Sequence, residues 1–219
     1  MALFGLIAEG KSDFPVLKNI LIGLFETDIF NEIRELQPLL DATAEEDIQE
    51  FGGWFKVFEY CRSEAFRGAF QRIDYIVIQI DSDVSEQTHY DVKQTDENGL
   101  KLSPEQLIEK IKDKFYSIIK EAFGEDFLEK VKHRIIFAIS VNEIECWLLP
   151  LFYTDKLKSS TNNCDYRLHQ KAGSFRKETK PYDKISKEYR KSKVIKKAYL
   201  ENPSLKIFVE SVLAKNIIP

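Results

Sequence analysis

The chain has 219 residues, 43% of them hydrophobic and 31% charged, with a formal net charge of −4. This is the length of one generous domain, or one domain with a substantial appendage, and the composition of an ordinary globular protein. No apolar run approaches the ~18 residues needed to span a bilayer, and the start lacks the basic residues and long apolar stretch of an export signal, so no membrane partner is expected.

Residues 3–8 (LFGLIA) form an apolar run that reads as a buried strand, and it ends in Glu9-Gly10-Lys11-Ser12-Asp13. Ser12 or Asp13 is placed to cap a helix with Phe14, Leu17, Ile20, Leu21 and Leu24 at helical spacing. Residues 29–48 are acidic and read as partly helical, interrupted by Pro38. Residues 54–60, carrying Phe55, Val57 and Phe58, read as a second strand. A helix over 63–71 then leads into a third strand, residues 75–80, which ends in Asp81-Ser82-Asp83. This alternation predicts an α/β sheet.

A polar stretch, 85–101, follows with Asn98-Gly99 as a turn signal, and a loop of that length is often functional. Ser103-Pro104 opens a helix with the stripe Leu107, Ile108, Ile111, Phe115, Ile118 and Ile119, which residues 123–131 extend. Residues 134–140 (RIIFAIS) form a fourth strand. Asn142 is placed to cap a helix over 143–149 that Pro150 follows. Beyond Pro150 strand signals stop: 166–179 reads as irregular or weakly helical, 181–199 as helical, and Asn202-Pro203 opens an amphipathic helix with Leu205, Phe208, Val209, Val212 and Leu213.

The small net charge hides an asymmetry. Residues 151–219 hold 16 Lys and Arg against 7 Asp and Glu, a net of +9, whereas 1–150 hold 16 against 29, a net of −13. An acidic domain over 1–150 and a basic, mainly helical extension over 151–219 are the expected organisation, with the extension meeting a polyanion. Arg176, Tyr182, Tyr189, Arg190 and Tyr199 interleave with lysines there, a pattern suited to base stacking and phosphate contact. The expected nucleic-acid contacts are Lys171, Arg176, Lys177, Lys180, Lys187, Arg190 and Lys191. Cys61, Cys146 and Cys164 are odd in number, widely spaced and without a metal-ligand pattern, so a cytoplasmic location is expected.

Ligands of parallel sheets gather beyond the carboxyl ends of the strands, where both acidic clusters fall. Carboxylates converging there repel one another unless a cation neutralises them, and hard oxygen ligands suit Mg²⁺, with Mn²⁺ as the alternative. A glutamate after the first strand (AEGKSD) and Asp-x-Asp after a later one (IQIDSDV) resemble the TOPRIM domain of topoisomerases, primases, ribosomal-RNA maturases and overcoming-lysogenization-defect nucleases.

That resemblance implies a TOPRIM-like (Rossmann-like), mostly parallel sheet flanked by helices, and Mg²⁺-dependent hydrolysis of DNA or RNA. Glu9, Asp81 and Asp83 would be catalytic and metal-binding, with Asp13, Glu143 and Glu145 (VNEIECWLLP) as further metal ligands. It also implies a catalytic lysine, for which Lys184 in TKPYDKIS is the preferred match over Lys171, Lys177 and Lys180. A toxic effector of prokaryotic anti-phage defence, working beside a separate ATPase sensor subunit, is the implied setting, and the Phe-rich helices suit a homodimer. His89 in the polar loop is a lesser candidate, as a proton shuttle. Two alternatives stay open: a haloacid-dehalogenase-like phosphatase using Asp81, and an inert TOPRIM module that docks a partner.

Overall fold

Four short segments pair into one all-parallel sheet, ordered β2-β1-β3-β4, in a computed structural model that describes residues 2–26, 30–38 and 53–217. The strands are β1 (Phe4–Ile7), β2 (Ile33–Gln37), β3 (Tyr75–Asp81) and β4 (Ile135–Ser140). Helices flank the sheet: α1 (Asp13–Phe25), α2 (Gly53–Arg62), α3 (Glu64–Ala69), α4 (Pro104–Phe123), α5 (Glu125–Val131), α6 (Glu145–Leu148), α7 (Cys164–Ala172), α8 (Thr179–Ser186), α9 (Ser192–Ala198) and α10 (Pro203–Leu213). None is both long and apolar enough to cross a membrane.

Alternation along the strands divides the core in two, because successive side chains point to opposite faces. Phe4, Leu6, Val77, Ile136 and Ala138 meet α1 and the C-terminal helices on one face. Ile7, Ile76, Ile78, Ile80, Phe137 and Ile139 meet α2 to α5 on the other. Burial on both faces explains why β1, β3 and β4 read as unbroken apolar runs.

Two segments differ from the sequence expectation. Residues 54–60 lie in helix α2, not in a strand. Trp54, Val57, Phe58 and Cys61 are its buried positions, at the i, i+3, i+4, i+7 spacing of one helical face. The second strand is instead β2, within the stretch read as partly helical. Among the described residues β2 pairs in parallel with β1 alone, and of its five residues only Ile33 is buried, so a strand this polar carries little strand signal. The rest of that stretch, residues 29 and 39–48, lies outside the described residues.

Smaller differences follow from local chemistry. Gly124 takes φ 84° and separates α4 from α5. Asn142 does not cap a helix; it takes a left-handed φ of 71°, and its N–H donates to Ser82 Oγ at 2.8 Å. α7 takes the helical alternative for part of the segment read as irregular or weakly helical, and the helix expected over 181–199 is divided among α8, a 3-10 turn (Lys187–Arg190) and α9. The Ser103 cap is as expected: its Oγ accepts from Gln106 N–H at 3.3 Å, and Gln106 Oε1 accepts from Ser103 N–H at 2.9 Å.

Residue 150 does not divide two cores. Leu205, Phe208, Val209 and Val212 of α10 share one apolar cluster with β1, β4 and α1. Tyr182 and Tyr189, expected to be available for base stacking, are fully buried in that cluster.

Candidate metal and catalytic site

The in-register pairing of β1 with β3, Ile7 against Ile78, brings Glu9 and Asp81 out at the same edge of the sheet. Gln79, wholly buried on β3, ties them together. Its Oε1 accepts the Glu9 N–H at 3.0 Å, and its Nε2 donates to Asp81 Oδ1 at 2.9 Å. Glu9 Oε2 in turn accepts the Asp81 N–H at 3.3 Å. The Trp54 N–H, in the first turn of α2, also serves the Glu9 carboxylate. Gly53 permits that approach, because a Cβ there would lie 2.5 Å from the Glu9 carbonyl oxygen and 2.7 Å from its Cγ.

Asp13 stands at the start of α1, where its Oδ2 accepts the Gly10 N–H at 2.8 Å and its Oδ1 accepts from Ser12 Oγ at 3.2 Å. Asp83 is exposed beyond β3, with its Oδ1 accepting the Val84 N–H at 2.9 Å. The Asp81-Ser82-Asp83 turn is fastened to the end of β4, since the Ser82 and Asp83 N–H groups both donate to the Asn142 carbonyl at 3.0 Å. Tyr90, buried in the polar loop, donates its hydroxyl to the Asp81 carbonyl at 3.1 Å.

Glu145 enters from the first turn of α6 and is 2% exposed. Its Oε1 accepts from the Tyr182 hydroxyl and lies 2.9 Å from Lys177 Nζ. Its Oε2 is buried without a hydrogen-bond partner. Glu143 turns aside: its Oε1 accepts the Asp165 N–H of α7 at 2.8 Å, and the charges it senses are Glu145, Lys177 and Asp165.

These carboxylates share one field. Burial pushes Glu9 up to about 7, against the Asp81 N–H bond and with added repulsion from Asp83. Burial likewise takes Asp13 up to about 7, helped by Glu145 and Glu9. Asp81 is raised well above the ordinary aspartate range by burial, then by Glu9, Asp13, Glu145 and Asp83. Burial raises Asp83 less, because the Val84 N–H and Lys177 oppose it. Burial also works against the Lys177 charge, but Glu145, Asp165 and Glu143 outweigh it and hold that ammonium above the usual lysine value.

The donor set fits a hard divalent cation. Its atoms are carboxylate oxygens, one of them is buried without a partner, and the cluster carries more negative charge than one lysine offsets. Among the described residues, the one set of three His, Cys, Asp or Glu ligand atoms within 4.8 Å of one another is Glu143, Cys146 and Cys164. No three of Glu9, Asp13, Asp81, Asp83 and Glu145 bring ligand atoms that close together.

Lys184 lies on α8 and lines, with Phe152, Phe175, Lys180 and Ile185, a surface cavity of about 610 Å³. Lys177, in the irregular segment before α8, touches the acidic cluster through Glu145. Of the other basic residues, Arg176 is well exposed and 3.9 Å from Glu178, Lys187 is exposed, and Lys171 lies over the Tyr153 ring. Arg190 is engaged by Asp183 at 2.9 Å and by Asn19, and Lys191 by Glu188 at 2.8 Å. His89 sits on the exposed polar loop, its ring centroid 6.4 Å from that of Phe55. Cys146 and Cys164 form a disulfide, which the wide spacing of the cysteines did not suggest, and Cys61 is buried and free.

Gln79, Gly53 and Tyr182 are the parts of this site that sequence reasoning missed. A glutamine inside an otherwise apolar strand was a usable signal for the first. The other two depend on approaches between segments distant in sequence.

The chain matches no protein-family model, no curated protein and no solved structure.

Proposed function

We propose that this chain is a divalent-metal-dependent nuclease of TOPRIM type, hydrolysing phosphodiester bonds of DNA or RNA. The observation that carries the reading is the convergence of Glu9, Asp13, Asp81, Asp83 and Glu145 beyond the carboxyl edge of a parallel sheet, with Lys177 as the cation inside the cluster. Glu9, Asp81 and Asp83 would hold Mg²⁺ or Mn²⁺, with Asp13 and Glu145 adjoining. A bound cation of this kind polarises a phosphoryl oxygen and lowers the pKa of its water.

The remaining work falls to the chain's own groups. Gln79 and the Trp54 N–H fix the orientation of Glu9 and Asp81, so no side chain has to reorganise as charge develops. The Lys177 ammonium is placed to offset charge on a phosphoryl group, a role that the resemblance gives to a lysine. Its contact with Glu145 favours it over Lys184. Arg176, Lys180, Lys184 and Lys187 supply phosphate contacts along the adjoining surface. A phosphatase using Asp81 alone leaves Glu9 and Lys177 without a task.

The test is cleavage of plasmid DNA and total RNA with Mg²⁺, Mn²⁺ or EDTA, together with calorimetric Mn²⁺ binding. Glu9→Ala and Asp81→Ala are expected to abolish both binding and cleavage. Lys177→Ala is expected to lower the rate by about 10²–10³-fold while Mn²⁺ still binds. Cleavage that persists in EDTA, or is undiminished in both carboxylate variants, would sink the mechanism.

A further inference from the structure

Beside the acidic cluster lies a second group of a different chemical kind. Cys146 follows Glu145 in α6, and Cys164 opens α7, where the two sulfurs are joined. Glu143 completes the group, and its carboxylate oxygen and the two sulfurs all fall within 4.8 Å of one another. We propose that, when the disulfide is reduced, Glu143, Cys146 and Cys164 form a binding site for a thiophilic divalent cation such as Zn²⁺. The proposal is independent of the nuclease reading.

Three features of the backbone place these ligands, and none of them depends on the sulfur–sulfur bond. The Cys146 N–H donates to the Glu143 carbonyl at 3.0 Å, a turn that sets residues 143 and 146 on one side of the chain. Glu143 Oε1 accepts the Asp165 N–H at 2.8 Å, which directs the carboxylate to the start of α7, next to Cys164. Asn202 Nδ2 donates to the Cys146 carbonyl at 3.3 Å and to the Ser160 carbonyl at 3.5 Å, bracing both cysteine-bearing segments from α10.

Ligand type separates this site from its neighbour. Two thiolates and one carboxylate select a borderline-soft cation, whereas the all-oxygen cluster around Glu9 selects a hard one. In tetrahedral zinc, Zn–S is about 2.3 Å and Zn–O about 2.0–2.2 Å, so neighbouring ligand atoms stand roughly 3.3–3.8 Å apart. The bonded sulfurs stand closer than that spacing, so after reduction side-chain rotation at the two cysteines has to move them apart, while the Glu143 oxygen already lies within 4.8 Å of both. Both cysteines are fully buried while Glu143 is half-buried, so the remaining position opens towards water on the Glu143 side.

The chemistry balances with a dithiol or phosphine as reductant. The S–S bond takes two electrons and two protons to give two thiols, and the reductant is oxidised by the same two electrons. Zn²⁺ then replaces the two thiol protons, which are released. In either state α6 stays clasped to α7, and with it Glu145 keeps its place between Lys177 and Tyr182.

The experiment compares oxidised with phosphine-reduced full-length chain, both stripped with EDTA, the thiol count in denaturant being one before reduction and three after. Co²⁺ spectra and Zn²⁺ competition against a chromogenic chelator are the readouts. Reduced wild type is expected to take up one Zn²⁺ per chain more than the oxidised chain and to show thiolate-to-cobalt charge-transfer absorption. Oxidised wild type and the Cys146→Ser/Cys164→Ser double variant are expected to lack that absorption. Even an outer-sphere partner is typically worth about 10–100-fold, so Glu143→Gln should weaken Zn²⁺ binding at least that much. Glu9→Ala and Asp81→Ala should retain the absorption, which keeps this result distinct from failure of the nuclease reading. A reduced chain without the charge-transfer band overturns the proposal, and so does a disulfide that resists reduction in the folded state. The oxidised-against-reduced comparison needs no substitution, so a double variant that fails to fold does not remove the test.

Discussion

Glu9 and Asp13 are acids that the fold holds protonated to about pH 7, against ordinary values of 4.5 and 3.8. The folded chain therefore keeps protons that the unfolded chain has released. Their contribution to stability is full below the unfolded values and is lost as pH rises through about 7. Without metal, the thermal midpoint should fall between pH 5 and pH 8 (both about), by roughly 2–4 °C per kcal/mol lost. A divalent cation that binds the ionised cluster should restore it at the higher pH and do little at the lower. Melting curves with EDTA, Mg²⁺ or Mn²⁺ check this, and a metal-free midpoint that rises across the interval contradicts it. Gln79 is the second test at this scale. Gln79→Leu keeps the volume but strips the Glu9 N–H and Asp81 Oδ1 of a partner, at about 1–3 kcal/mol for each group left unsatisfied. Urea denaturation should show that loss, together with weaker Mn²⁺ binding.

Elements show where sequence patterning succeeded and where it stopped. β1, β3 and β4 were legible because a strand covered on both faces must be apolar throughout. The acidic residues after them were legible too, as side chains that leave the sheet at its carboxyl edge. β2 escaped because an edge strand with charged and polar residues, Arg34, Glu35 and Gln37, satisfies its fold by backbone pairing rather than by side-chain burial. α2 was misread because Phe55, half-buried, filled a gap in its helical stripe. The same helix makes a contact that no pattern signals, its first turn meeting the Glu9 carboxylate. Gly53→Ala should therefore destabilise the chain by about 1–3 kcal/mol, as overpacking against fixed backbone does, and weaken metal binding by displacing Glu9. Equal metal affinity in the variant would separate α2 from the site.

At the scale of the molecule, charge and packing divide the chain differently. The sequence separates an acidic body from a basic extension, and that division is a property of the surface. The core ignores it. Trp147 of α6 stacks on Phe208 of α10 with centroids 5.3 Å apart and donates its indole N–H to Ser204 Oγ at 2.8 Å. The Tyr189 hydroxyl donates to the Trp147 carbonyl. Gly23 of α1 lies so close to the Tyr189 carbonyl that a Cβ would fall well inside van der Waals contact. These are pairings across long stretches of chain, and a one-dimensional pattern does not carry them.

The packing predicts that residues 1–150 do not fold alone. Leu205, Phe208, Val209 and Val212 are each fully buried, and at about 1.5–3 kcal/mol per large apolar side chain these four alone approach the ~5–15 kcal/mol by which a domain is stable. Truncation also bares Phe4, Leu6 and Ile136 and removes Lys177 and Tyr182 from Glu145. The fragment should be aggregated or lack a cooperative thermal transition, whereas the full chain carrying Gly23→Ala should fold with reduced stability. Size-exclusion chromatography and circular dichroism melts distinguish the cases. A monomeric 1–150 fragment that melts cooperatively and binds Mn²⁺ would show that the C-terminal helices are an appendage to the site rather than one of its walls.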